Sequence, residues 1–121
     1  MHDLDMLRAY LLSKPGAFED LPFGPETLVL KVAAKMFASL GLNDVPLRIS
    51  LKCDPEQAEQ LRAAYPAIRL PSYLDKRHWI AVTLDRSVPD ETIRALVDDS
   101  YSLVVQGLTR AVRRQLTDNS L

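Results

Sequence analysis

The chain has 121 residues, of which 47% are hydrophobic, so it is long enough for one domain, residues 1–121, with a single buried core. With 15 basic and 16 acidic residues the formal net charge is -1, so overall charge attracts the chain neither to nucleic acid nor to an anionic membrane. A single cysteine excludes an internal disulfide, and no stretch approaches the roughly 20 apolar residues of a membrane-spanning helix.

The first predicted element is a helix that begins after the capping residue Asp3 and carries Leu7 and Leu11 on one face. Residues 14–16, Lys-Pro-Gly, end this helix. The N-terminal segment, residues 1–16, lacks the basic region and the uninterrupted apolar run of a secretion signal. The single cysteine gives no reason to expect an oxidising compartment, so we expect a cytoplasmic protein with no membrane partner. Residues 17–27 contain two prolines and a glycine and are predicted to form a loop that leads into the sheet.

The next two predicted elements lie in residues 28–40, LVLKVAAKMFASL, which consist of two short apolar segments. They predict a β-hairpin that turns near residues 33–35, although a buried helix would also tolerate this alanine-rich stretch. From residue 47 to residue 53, apolar and polar side chains alternate, which is typical of a strand with one buried face. Asp54 and Pro55 then begin a second helix, as a capping residue followed by a proline at the first helical position.

The second half of the chain predicts two further strands and a long helix. Residues 67–73 form a short strand that Pro71 interrupts, so it is irregular or lies at an edge. Residues 78–84 alternate again, and the longest helix begins near residues 87–90 and continues to Val112. The predicted order is α-β-β-β-α-β-β-α. Connections this short favour a two-layer α+β fold with a mostly antiparallel sheet and the helices on one face.

Residues with catalytic or metal-binding chemistry form no recognisable motif. The chain has only His2 and His78 as histidines, and Cys53 is distant from both in sequence, so convergent metal ligands are lacking. A Cys53–His78 nucleophile pair is conceivable across the sheet, but alternation places Cys53 on the core side, where a free cysteine is usually a small buried hydrophobic residue. We therefore expect no catalytic residue, no metal, no cofactor and no enzymatic activity.

Arginines are concentrated near the C-terminus, at Arg110, Arg113 and Arg114, whereas Asp90 and Glu91 open the predicted last helix. This distribution complements the helix dipole, because cations stabilise the C-terminal end of a helix. An anion-binding patch is the alternative interpretation.

A second basic cluster lies in the stretch DKRHWIAVTL, residues 75–84, where three potentially cationic side chains precede the chain's only tryptophan: Lys76, Arg77, His78 and Trp79. A turn followed by a strand projects successive side chains in different directions. Two cations can therefore reach phosphates while the aromatic ring meets a base or anchors the turn.

The face of the sheet away from the helices extends this basic cluster. Because side chains alternate along a strand, Arg48 and Lys52 should share that face with Trp79. Basic side chains around an aromatic ring suit phosphate contacts and base stacking. The alternatives are that Trp79 is buried at a bulge, that residues 17–27 cover it, or that this face forms a homodimer.

Three segments resemble the MmcQ/YjbR family of small bacterial proteins. They are YLLSKPGAFEDLPFGPETLVLKVAAKMFASL at residues 10–40, YPAIRLPSYLDKRHWIAVTLD at residues 65–85 and VPDETIRALVDDSYSLVVQGLTRAVR at residues 88–113. The resemblance is nearly full length and rests on four short motifs in a fixed order: Pro15-Gly16, Phe23-Gly24-Pro25, Lys76-Arg77-His78-Trp79 and Ser100-Tyr101.

The resemblance implies a fold related to CyaY-like and secretion-chaperone-like α+β proteins, DNA binding through wing-like protrusions, and no catalytic residue. The chain departs from the family pattern at Ala34, where a glycine is expected, and at Asp75, where an asparagine is common. Together with the basic face, the resemblance predicts weak, sequence-tolerant DNA contacts at Lys31, Lys35, Arg48, Lys52, Lys76, Arg77, His78 and Trp79. A protein-binding or chaperone-like module that uses the exposed sheet face is the alternative.

Overall fold

Four helices and six strands make up residues 1–119, the part of the chain that this computed structural model describes, with side chains described to residue 117. In chain order they are α1 (Leu4–Leu12), β1 (Ala17–Asp20), β2 (Thr27–Val32), β3 (Lys35–Gly41), β4 (Arg48–Lys52), α2 (Pro55–Ala64), β5 (Ile68–Arg69), β6 (Trp79–Thr83), α3 (Asp90–Gln106) and α4 (Arg110–Asn119).

The six strands form one sheet in the order β1-β2-β3-β4-β6-β5, and every neighbouring pair is antiparallel. Helix α3 packs on the central strands β2, β3 and β4, while α1 contacts β1 and α2 contacts β5 and β6. The predicted α+β fold, with an antiparallel sheet and helices on one face, is therefore confirmed. We call the opposite side of the sheet, where Ser39, Ser50 and Ala81 lie, the open face.

The core lies between the sheet and the helices and follows the predicted alternation. Ile49 and Leu51 on β4 are opposite Val82 and Ile80 on β6, and all four side chains are fully buried. Leu7 of α1 is buried in the same cluster. Each fully buried Leu or Ile contributes about 1.5–3 kcal/mol relative to exposure, so this layer fixes the strands that carry the open face.

The structure adds strand β1 to the predicted order. Ala17–Asp20 pairs with β2, and the bidentate contact of Arg8 with Glu19, at 2.6 and 2.7 Å, ties β1 to α1. The prolines and glycine of residues 17–27 all follow this strand. Their density over the whole segment therefore concealed a four-residue strand at its start.

The structure also divides the predicted last helix into α3 and α4. Helix α3 ends at Gln106 with Gly107 as its C-cap, and α4 begins at Arg110. The apolar spacing of Val104, Leu108 and Val112 continues through the break. Periodicity alone therefore predicted one helix.

The β2–β3 hairpin turns at Ala33 and Ala34, within the predicted region. Ala33 adopts a φ of 54°, in the left-handed region that residues with a Cβ rarely occupy. Two-residue hairpin turns favour such a φ at their first central residue because its twist matches that of the strands. Ala33, rather than Ala34, is thus the residue whose side chain conflicts with the turn.

Ser100 of α3 connects the helix to two strands. It is the fully buried polar residue of the described chain, and its hydroxyl donates to the carbonyl of Phe37 at 2.6 Å and accepts from the N–H of Lys52 at 2.8 Å. The β3–β4 register ends at Ala38 opposite Leu51, so the next pair would be Phe37 and Lys52. The serine hydroxyl therefore replaces the next link of the ladder and satisfies both backbone groups.

Replacing Ser100 with alanine should lower the free energy of unfolding by about 1–3 kcal/mol, because two buried backbone groups lose their partner. Chemical denaturation measures this change. Ser102→Ala is the matched control, since Ser102 is exposed two residues further along α3 and its loss should cost less than about 0.5 kcal/mol. Equal stability losses in the two variants would contradict the bridging role of Ser100.

Replacing Ala33 with glycine should raise the free energy of unfolding by about 0.5–1 kcal/mol, because relief of the left-handed conformation exceeds the added backbone entropy. Ala34→Gly should give no gain, since Ala34 is not among the described residues with positive φ. Thermal and denaturant unfolding of both variants tests the assignment. A gain at Ala34 but not at Ala33 would show that the turn has a different conformation.

Candidate functional site

The open face carries a cleft of about 660 Å³, which we call the trough. Its floor is formed by the central strands β3 and β4, where Ser39 lies opposite Ser50. Its walls are the β1–β2 loop, residues 21–26, and the β5–β6 loop, residues 70–78, which rise from opposite edges of the sheet. A cleft of this volume matches the size of small-ligand sites.

Each wall presents an exposed aromatic side chain. Phe23 is 71% exposed and Tyr73 is 100% exposed, and both line the trough. Gly24, with a φ of 109°, permits the sharp turn beside Phe23, and the buried Pro71 anchors the loop that carries Tyr73. Large aromatic side chains normally bury most of their area in a folded protein, so this pair is available for contact with a ligand.

Charged groups of both signs line the trough. Arg48 lies at its floor, while Glu26 and Asp44 are at its side. Asp44 sits directly against Gly41: its N–H donates to the Gly41 carbonyl at 3.2 Å, and a Cβ at Gly41 would lie 2.2 Å from Asp44 Oδ2. Glycine therefore leaves the space that this carboxylate occupies.

Four of the residues predicted for DNA contact share the open face: Lys31, Arg48, Lys52 and Trp79. Lys52 and Trp79 are directly opposite each other on β4 and β6, and both are half-buried. They lie two residues along the strands from Ser50 and Ala81, or about 7 Å beyond the trough floor. Arg48 is inside the trough. Residues 17–27 do not cover Trp79, because β1 and β6 are at distant positions in the sheet.

The turn before β6 is organised by Asp75. Its carboxylate accepts from the Arg77 N–H at 2.9 Å and contacts His78 Nδ1 at 2.6 Å. The hydrogen bond from the Arg77 backbone and then that of His78 hold the pKa of the Asp75 carboxyl below its ordinary value. The imidazole of His78 is thus engaged within the turn. Lys76 and Arg77 have exposed side chains with no ion pair within the described residues.

The two lysines of the β2–β3 hairpin are separated by the sheet. Lys31 is on the open face, where its ammonium pairs with Asp20 at 2.9 Å. Lys35 is opposite Val32, whose side chain belongs to the core, so Lys35 projects to the helix side. The structure therefore does not bring Lys35 together with the other residues predicted for DNA contact.

Cys53 and His78 are neighbours through their backbones. The Cys53 N–H donates to the His78 carbonyl at 2.8 Å, while the imidazole contacts Asp75. Cys53 is 3% exposed, and burial raises the pKa of its thiol to about 11, so the thiol is protonated at neutral pH. Within residues 1–119, we find no cluster of three or more His, Cys, Asp or Glu residues that could hold a metal ion.

A titratable cluster that the sequence did not reveal joins α1 to α3. Tyr10 donates its hydroxyl to Asp98 Oδ1 at 2.6 Å, Lys14 contacts the same oxygen, and the Lys14 ammonium lies 4.9 Å from the centre of the Tyr10 ring. Nearby, the Tyr101 hydroxyl donates to the Pro15 carbonyl at 2.5 Å. These bonds fasten the end of α1 to α3, so the cluster has a structural role.

Protonation of this cluster follows from its contacts. Partial burial alone would raise the pKa of the Asp98 carboxyl, but hydrogen bonds from Lys14 and Tyr10 outweigh burial and leave that pKa below its ordinary value. The hydrogen bond to Asp98 raises the pKa of Tyr10. At neutral pH the carboxylate is charged and the phenol is neutral, as the geometry requires.

In the described chain, no helix combines the length and apolar character needed to cross a bilayer.

Comparison with known proteins gives consistent matches. The model of the YjbR family matches residues 12–103. The chain is 36% identical over 110 residues to the uncharacterised protein YjbR of Escherichia coli K12, which covers 91% of this chain and 93% of that protein. It is 36% identical over 96 residues to the uncharacterised protein YbdF of Escherichia coli O157:H7, covering 78% of each.

Two solved structures resemble the fold. The crystal structure of protein DR2400 of Deinococcus radiodurans, which is described as a DUF419 domain, superposes with a TM-score of 0.90 at 43% identity. The match covers 97% of this chain and 89% of that chain. A Pseudomonas syringae protein gives a TM-score of 0.71 at 27% identity, covering 84% of this chain and 97% of the other.

The Asp98 contacts predict how stability depends on pH. Because the folded-state pKa of Asp98 is lowered, its contribution is present above the unfolded-state pKa of about 3.9 and is lost as pH falls through the folded-state pKa. Asp98→Asn should therefore be less stable than wild type at neutral pH, and the difference should shrink in acid. Urea titrations over this pH range measure the effect, with the exposed neighbour Asp99→Asn as the control. A difference that is independent of pH would refute the role of the carboxylate charge.

Proposed function

We propose that this chain, which belongs to the YjbR family, is a binding protein rather than an enzyme and that it holds single-stranded nucleic acid in the trough. The observation that carries the proposal is the pair of exposed aromatic rings, Phe23 and Tyr73, on facing walls of a cleft that also contains Arg48. Proteins that bind single strands combine aromatic stacking surfaces with cationic side chains in this way. The proposal refines the DNA binding that the family resemblance implies.

Stacking supplies the main favourable contact in this proposal. Tyr73 and Phe23 expose ring faces that need not be freed from the core before a base can stack on them. Base stacking on an aromatic ring contributes about 1–3 kcal/mol per base and tolerates any base. Binding should therefore be weakly dependent on sequence.

The mixed charge of the trough suits base edges better than phosphates. Glu26 and Asp44 can accept hydrogen bonds from base amino groups, and Ser39 and Ser50 can donate or accept. Phosphates would instead lie outside the trough, along Lys52 and the Lys76–Arg77 turn. With so few cations and a net charge of -1, affinity should be modest and sensitive to salt.

The absence of enzymatic activity is part of the proposal. The buried, protonated thiol of Cys53 and the Asp75-bound ring of His78 offer no activated nucleophile at the trough. The carboxylates Glu26 and Asp44 are the acidic groups lining the trough, and they are assigned to recognition. A cytoplasmic location, where nucleic acid is accessible, fits this role.

A protein partner is the second candidate, and one observation favours it. Exposed apolar side chains flank the trough on both walls: Leu21 at 48%, Phe23 at 71%, Leu70 at 48% and Tyr73 at 100% exposure. An apolar rim of this kind is also typical of surfaces that bind proteins, including chaperone substrates. A partner peptide would contact the same two rings, Phe23 and Tyr73. The nucleic-acid and protein candidates are therefore distinguished by which ligand binds and by whether its affinity depends on salt.

Replacing Tyr73 or Phe23 with alanine should weaken binding of a short single-stranded oligonucleotide by about 5-fold to 150-fold, since each change removes one stacking contact. Fluorescence anisotropy at low salt measures the affinity. Met6→Ala is the control, because Met6 is also an exposed apolar residue, at 54%, but lies on α1 on the helix side. The double change Lys76→Ala and Arg77→Ala should reduce the salt slope by about 1.4, at 0.7 for each phosphate on a single strand.

Two outcomes would refute the trough as a nucleic-acid site. One is the absence of salt-sensitive binding by the wild type, and the other is unchanged affinity in both the Tyr73 and the Phe23 variant. If apolar peptides bound instead, with affinity that was lost in these variants and indifferent to salt, the protein-binding alternative would replace the proposal.

A further inference from the structure

Helix α4 carries an exposed cluster of arginines that the fold itself does not use. Arg110, Arg113 and Arg114 are exposed, and none of them has an ion pair or hydrogen bond through its side chain within the described residues. We call these three residues the arginine stripe. By contrast, Arg8 of α1 donates to Glu19 through Nε and Nη2. Among the described residues the stripe thus has no side-chain partner, whereas the arginine of α1 has one.

The helix dipole does not account for the stripe. With one long helix, these arginines would lie at a C-terminus, where cations are stabilising. The break at Gly107 instead places Arg110 at the first position of α4, with Arg113 and Arg114 in its first half and no acidic residue in the first turn. Cations in the first turn of a helix are unfavourable, so Arg110 opposes the dipole of α4, and Arg113 and Arg114 in mid-helix gain nothing from it. This position corrects the dipole interpretation of the sequence.

The geometry of α4 directs the stripe to solvent. Residues three and four apart share a helix face, so Arg113 and Arg114 flank Arg110 on one side. Leu116 on the other side packs against the core, and it fits closely against Gly16, where a Cβ would lie 2.3 Å from Leu116 Cδ2 and 3.8 Å from Val32. Helix α4 is therefore fixed beside the end of the β2–β3 hairpin with its arginines facing outward.

Lys35 extends the stripe. It is opposite Val32 in the hairpin and projects to the helix side, where Leu116 and Gly16 meet Val32. Its ammonium is exposed and has no ion pair in the described chain. Four unpaired cations thus collect at this end of the molecule, on the side of the sheet opposite the trough.

We propose that the arginine stripe, together with Lys35, binds the phosphate backbone of a nucleic-acid duplex. Arginine recognises phosphates through parallel N–H donors, which suits rows of anionic oxygens. The stripe spans about 6 Å of helix axis at about 1.5 Å per residue. Because phosphates of one strand follow each other at about 3.4 Å of duplex axis, it can meet two or three of them.

A lipid surface fits this site less well. Helices that lie in a membrane insert an apolar face beside their basic one. On α4 the apolar residue Leu116 is already packed on the body of the protein. The exposed side of α4 offers guanidinium groups and no large apolar side chain that could insert into a bilayer. The arginine stripe therefore suits electrostatic contact with phosphates.

Matched double variants test the proposal. Arg113→Gln with Arg114→Gln should weaken binding of a blunt hairpin duplex and lower its salt slope by about 1.8, at 0.9 for each lost phosphate contact. Arg86→Gln with Arg94→Gln makes the same charge change at two other exposed arginines and should leave both quantities almost unchanged. The thermal midpoint of the α4 variant should equal that of wild type, because both arginines are exposed and have no side-chain partner among the described residues.

Several results would overturn the stripe as a duplex site: no duplex binding by the wild type, equal losses in both double variants, or binding to phosphatidylserine vesicles without binding to duplex. The trough is tested separately, since Tyr73→Ala should affect single strands and leave duplex binding intact. Loss of one activity with retention of the other therefore identifies which of the two proposals fails.

Discussion

The hydroxyl of Ser100 is the contact on which the arrangement of this fold depends. It bonds at once to the carbonyl of Phe37 and the N–H of Lys52, and so links α3 to β3 and β4 at the point where their ladder stops. A shift between Leu30 and Lys31 in the β2–β3 register lies next to Phe37, so the backbone there needs a partner from outside the strand. One buried serine provides it and thereby joins α3 to the sheet.

The two sides of the sheet differ in the side chains they carry and in what covers them. Helices cover the core side of the sheet, whereas the floor of the open face includes small and polar residues such as Ser39 and Ser50. Val29 and Ala81 are buried, yet they lie outside the main core cluster, on the side covered by the two wall loops. The loops thus lie against the sheet, while Phe23 and Tyr73 project from them into solvent.

Much of this fold could be predicted from local patterns, since alternation located β4 and β6 and the capping pair Asp54-Pro55 located α2. Strand β1 and the break before α4 could not, because a short strand beside prolines and a helix end inside a continuing apolar repeat leave no periodic signal. The trough was only partly predictable. Arg48, Lys52 and Trp79 follow from alternation, but Phe23 and Tyr73 lie on loops, where no period relates a residue to its neighbours in space.

The two edge strands of the sheet limit how this surface can pair with other chains. Exposed strands pair readily with other chains, and an uncovered sheet face with apolar side chains would make such pairing self-propagating. Here β5 offers only Ile68 and Arg69 for pairing, and Pro71, which lacks an N–H, follows almost at once. The opposite edge strand, β1, ends in Glu19 and Asp20. The protein can therefore leave one broad face free of helices while its borders discourage stacking into fibres.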